Sequence, residues 1–134
     1  MTPDQVNEAI QERFKLAWGT TTIFTLENEK FTQPGADVSW VRLSVRHFGG
    51  GQFTLGPKGQ RKYNRIGMII GQVFTPLIKG TQSGASLAHA FRAIFEGERF
   101  SDVYAWDGRL VPVGPDGKHF QTNVEIDITF EETK

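Results

Sequence analysis

The side chains able to do chemistry are few and scattered. The histidines stand at His47, His89 and His119, none at a metal-ligand spacing from another histidine or a carboxylate. A solvated or hydrogen-bonded ring is the plainer reading of each. Hydrolysis by a serine needs that serine beside a histidine oriented by a carboxylate. The chain has no Gly-x-Ser-x-Gly elbow, and Ser83-Gly84 and Ser101-Asp102 read as a helix cap and a turn. Glu125 and Asp127 share a strand face and could form an acid–base pair, but on an exposed sheet they read as solvated charges. Thiol catalysis, thiolate metal sites and disulfides are excluded, because there is no cysteine. The sequence therefore predicts no enzyme, no cofactor and no metal site.

The richest run is a different kind of chemistry. Gly49 to Gly59 holds five glycines in eleven residues, and Gln60-Arg61-Lys62-Tyr63-Asn64-Arg65 follows. A phosphate loop needs Gly-Lys-Ser/Thr opening a helix. Here Pro57-Lys58-Gly59-Gln60 leads toward a strand, so nucleotide binding is set aside. Arg61, Lys62 and Arg65 cluster around Tyr63 with Phe53 nearby, which suits phosphate neutralisation and base stacking on single-stranded nucleic acid. Zero net charge and a pI near 6.8 weigh against that partner. The run reads as a mobile arm, or a hairpin extended from the core. Its interface candidates are Phe53, Leu55, Lys58, Arg61, Lys62, Tyr63 and Arg65.

The zero net charge hides a segregation. Val38 to Phe95 contains no acid and eight bases: Arg42, Arg46, Lys58, Arg61, Lys62, Arg65, Lys79 and Arg92. Residues 1–37 carry six acids against three bases, and residues 96–134 carry nine against four. Complementary patches for self-assembly follow if folding does not mix these blocks.

The elements that must position these residues are legible from periodicity. Thr2-Pro3-Asp4-Gln5 is a capping box, and Val6, Ile10, Phe14 and Ala17 recur at helical spacing, which predicts a helix over 3–17 ended by Gly19. Strands are predicted over 20–26 and 37–48, with Trp40 on the polar face of the second. Residues 66–75 read as a third strand, apolar on both faces and so central. A second helix is predicted over 84–96, capped by Ser83 and closed by Gly97. Residues 103–106 read as a strand, Asp107-Gly108 as a hairpin turn, 110–113 as an edge strand or loop because of Pro112, and Asp116-Gly117 as another turn. The strict alternation from Phe120 to Glu131 predicts a last strand with one buried face. The expected fold is α+β in a single domain over 1–134. A mainly antiparallel sheet carries two helices packed on one face, with a long glycine-rich arm between strands two and three. No apolar run approaches a membrane span, and the N-terminus lacks a signal-peptide core, so a cytoplasmic site of synthesis is expected.

In the order of its motifs the chain resembles the phage tail terminator family. The likeness runs from Val6…Ile10…Arg13-Phe14…Trp18 through Pro34…Asp37…Trp40-Val41-Arg42-Leu43. It continues through Arg65-Ile66-Gly67…Gln72-Val73-Phe74-Thr75-Pro76…Gly80 and Ala88…Phe91…Ile94-Phe95…Gly97. It closes on Val113-Gly114…Gly117…Phe120-Gln121-Thr122-Asn123-Val124 and an acidic tail. The resemblance implies a structural virion protein without enzyme activity, found in the tail and in the host cytoplasm during assembly. It implies a homohexameric ring that ends tube polymerisation, with the major tail tube protein and a head–tail connector or neck protein as partners. In such a ring, Arg61, Lys62 and Arg65 are expected to meet acids of the neighbouring subunit.

Overall fold

The computed structural model describes residues 1–77 and 82–134; Lys79 of the basic block and Gly80 of the resemblance lie outside them. The order is α1 (Pro3–Trp18), β1 (Ile23–Leu26), β2 (Trp40–Gln52), β3 (Lys62–Pro76), α2 (Gln82–Phe95), β4 (Glu98–Phe100), β5 (Val103–Asp116) and β6 (His119–Thr133). The fold is α+β. Its six-stranded sheet runs β1-β2-β3-β6-β5-β4 and curls into a half-barrel. β1 pairs with β2 in parallel, and the other neighbouring pairs are antiparallel. No helix among the described residues is long and apolar enough to cross a membrane.

α1 starts where its capping box places it. Gln5 N–H donates to Thr2 Oγ1 at 3.4 Å, and Thr2 N–H donates to Gln5 Oε1 at 2.9 Å. The hydrogen bond from Thr2 also holds the Asp4 carboxyl below its ordinary pKa. Val6, Ile10, Phe14 and Trp18 form the buried stripe of this helix. They join Ala88, Phe91 and Phe95 of α2 and Val41, Leu43, Ile69, Val73, Val124, Ile126 and Ile128 of the sheet in one cluster. Phe91 lies at its centre, with ring centroids 5.4 Å from Phe14, 6.2 Å from Trp18 and 5.6 Å from Phe95. Gly71 makes room for that ring: a Cβ there would lie 2.6 Å from Phe91 Cζ.

Several elements depart from their predicted form. Asp107-Gly108 is not a turn. β5 runs straight through it, because the step is absorbed by a bulge between Ala105 and Asp107. The turn into β6 lies at Asp116–His119, on the Asp116-Gly117 pair that the sequence also marks. Pro112 is tolerated because β4 covers β5 only as far as Ala105, so the missing N–H falls on an edge. Ser83 is not a cap but lies inside α2. Trp40 does belong to the polar face, yet it is buried, stacked on Phe74 at 4.1 Å with Phe31 at 5.0 Å. β4, three residues long, carries no periodicity that a sequence could show.

Candidate assembly surface

Alternation along β6 sorts its side chains into two environments. Val124, Ile126, Ile128 and Phe130 enter the core; Asn123, Glu125, Asp127 and Thr129 lie on the opposite, open face. Register carries this face across the sheet. Ile70, Met68 and Ile66 of β3 stand opposite Glu125, Asp127 and Thr129. Arg42 and Arg46 of β2 stand opposite Gln72 and Met68, while Arg109 and Asp107 of β5 stand opposite Glu125 and Asp127.

Strand order preserves the charge segregation in space. β2, β3 and the loop between them carry Arg42, Arg46, Lys58, Arg61, Lys62 and Arg65 and no acid. β4, β5, β6 and the turn between the last two carry Glu98, Asp107, Asp116, Glu125, Asp127, Glu131 and Glu132 against Arg99, Arg109 and Lys118. Since β3 and β6 adjoin at the centre, the sheet divides into a basic half and an acidic half. At the seam, Arg65 Nε donates to Glu132 Oε1 at 2.9 Å; at the outer side, Arg46 pairs with Glu27.

The glycine-rich run enters this sheet at its start. Gly49, Gly50 and Gly51 pair with Ile66, Arg65 and Asn64, leaving a loop over 53–61. Gly50, at φ 144°, is required by close approach: a Cβ would overlap the Asn64 carbonyl. The loop is held in line with its strands. Phe53 N–H donates to Lys62 O, Lys62 N–H to Thr54 Oγ1 at 2.8 Å, and Lys134 N–H to Arg61 O at 2.8 Å.

Of the residues singled out from sequence, Leu55 is 96% exposed, and Phe53, Lys58 and Lys62 are exposed. Arg61 and Tyr63 are partly covered, and Tyr63 O–H donates to Gln52 Oε1 at 3.3 Å. Arg65 is engaged within its own subunit, both by Glu132 and by the Tyr63 ring 4.7 Å beneath its guanidinium. Among the described residues, Lys58, Arg61 and Lys62 form no ion pair.

Two features escaped the sequence. The first is an acidic cluster around Arg109, in which Glu125 and Asp127, expected as solvated charges, are instead ion-paired. Arg109 Nε donates to Glu125 Oε1 at 3.1 Å and its Nη1 to Asp127 Oδ2 at 3.1 Å, with Asp107 at 3.8 Å. The bond to Asp127 is the chief cause raising the arginine's pKa above its ordinary value. Three carboxylates against one guanidinium leave a net negative patch. The second is a set of apolar side chains at irregularities of the strands. Phe48, Trp106 and Val113 each fall at a register shift, where the extra residue has no partner, and are 59%, 46% and 53% exposed. Among the described residues, no group of histidines and carboxylates is arranged to hold a metal ion.

No protein-family profile matches the chain, and no curated protein matches it. Solved structures do match. One, 19% identical, superposes with a TM-score of 0.63 over 100% of this chain and 96% of its own. At that identity the likeness is one of fold.

Proposed function

We propose that the chain is a structural virion protein of the phage tail terminator kind. It closes head to tail into a ring at the head-proximal end of a tail tube, ends tube growth and presents the docking surface for the neck. The observation that carries this reading is the division of the sheet into a basic and an acidic half. A cyclic assembly joins two unlike patches, one from each neighbour, and a neutral chain with sorted charge supplies both. With both helices on one face, the part of the other around Ile66, Met68 and Ile70 is left open to neighbours, and the loop over 53–61, with Phe53, Leu55 and Lys58 and the adjoining Lys62, is the projecting contact. Single-stranded nucleic acid is the less favoured ligand. Arg65 and Tyr63, the cation and ring that would hold it, are already joined to each other.

Electron microscopy of the purified protein mixed with tail tubes tests the proposal. Rings on one tube end, with tubes of limited length, are expected. The Arg61→Glu, Lys62→Glu double variant should keep the fold and lose the rings. Tubes that stay uncapped with the unmodified protein would refute the reading.

A further inference from the structure

The ring reading leaves open what the loop of one subunit grips on the next. We infer that the loop over 53–61 docks on the open face of a second copy, across β3, β6 and β5, with its Lys58 and the adjoining Lys62 on the acids around Arg109. This inference rests on the proposed head-to-tail assembly and names its acceptor.

The acceptor is unusual chemistry for a free sheet surface. Asp107 and Asp127 are direct cross-strand partners, and like charges placed so repel. Arg109 answers part of that repulsion, and its bonds to Glu125 and Asp127 hold those carboxylates in place. The excess negative charge is left facing outward, with the Asp107 side chain 59% exposed. Beside it runs an apolar strip on β3: Met68 opposite Asp127, Ile70 opposite Glu125, and Ile66, 45% exposed, at the near end. Arg46, on the far side of the strip, is already taken by Glu27.

The donor matches that pattern term by term. Leu55 and Phe53 are apolar and exposed at the loop, and Lys58 and Lys62 flank them without an ion pair among the described residues. An apolar anchor on an apolar strip, with cations beside carboxylates, is the arrangement of a specific contact. The loop cannot serve its own acceptor. Its hydrogen bonds to Lys62 and from Lys134 keep it pointing along the strands, past the end of the sheet. Lys62 and Met68 lie six residues apart on β3, about 20 Å at a strand's rise. The contact is therefore between copies, and because donor and acceptor differ, it propagates in one direction until it closes.

The chain has no cysteine, which makes a direct test clean. Leu55→Cys and Ile66→Cys chains, mixed and treated with a short bismaleimide, should give a heteromeric cross-linked dimer. A single chain carrying both changes should give a ladder that ends at the ring. Sedimentation velocity supplies the second arm. Lys58→Glu with Lys62→Glu, or Asp107→Lys alone, should each weaken self-association about tenfold or more, and combining them in one chain should restore it. Rings that form normally in Asp107→Lys and give no Leu55–Ile66 cross-link overturn the acceptor while leaving the ring reading intact. An unmodified chain that never associates, with tubes or without, overturns both.

Discussion

The two faces of β3 and β6 are made by the same strands and have opposite fates. On the covered face, Ile69, Val73, Val124, Ile126 and Ile128 meet Phe14, Phe91 and Phe95 and are almost wholly buried. On the open face, Ile66, Met68 and Ile70 have similar chemistry but are left partly or largely exposed among Glu125, Asp127 and Arg109. Burial against helices converts apolar area to stability. Apolar area left uncovered beside sorted charge contributes little to folding and is free for association. One face thus carries the fold, and the other is available for contact.

That contrast can be broken at its centre. Phe91→Ala, removing the ring that touches Phe14, Trp18 and Phe95, should cost about 3–5 kcal/mol in urea unfolding. Gly71→Ala, pressing a methyl into that ring, should cost about 1–3 kcal/mol by the same assay.

A smaller effect comes from His47, at the end of the covered face. Its Nε2 lies 2.8 Å from Asn7 Oδ1 and its ring meets Phe130 edge-on at 5.8 Å. Partial burial lowers its pKa below 6.5, so the unfolded chain takes up the proton more readily. Stability from this group is complete above that value and declines as pH falls through it. The urea midpoint should be lower at about pH 5 than at about pH 7.5, and the part due to this ring should vanish in His47→Gln. Smallest of all for folding, Ile66→Ser on the open face should change stability by no more than about 0.5 kcal/mol, while sedimentation shows weaker association. A loss as large as that of Phe91→Ala would erase the distinction between the faces.

Much of this was readable from residue order. Thr2, Pro3 and Gln5 announced α1, because a capping box is a local contract between neighbours. The alternation in β6 and the doubly apolar β3 announced a one-sided strand and a central one. The proposed site was legible only in part. Leu55, Phe53, Lys58 and Lys62 stood out by composition, whereas the Arg109 cluster did not. Its members become neighbours through the pairing of Arg109 with Glu125 and Asp107 with Asp127, and that register depends on a bulge at Trp106. Asp107-Gly108 has the dipeptide of a tight turn, and the sheet overrode it with cross-strand pairing on either side.

By itself, then, the sequence determined where both helices and most of the strands lie, which side of the longer ones is apolar, and that basic and acidic residues occupy separate stretches. These are properties of neighbours along a chain, set by periods of 3.6 and 2. Only the tertiary structure decided that the basic stretch and the acidic one lie as two halves of one sheet, that the glycines serve close approach of Gly50 to Asn64, and that Arg65 is spent on Glu132. Those outcomes depend on strand order and register, which bring together residues more than sixty positions apart, such as Arg65 and Glu132. No local pattern encodes that distance.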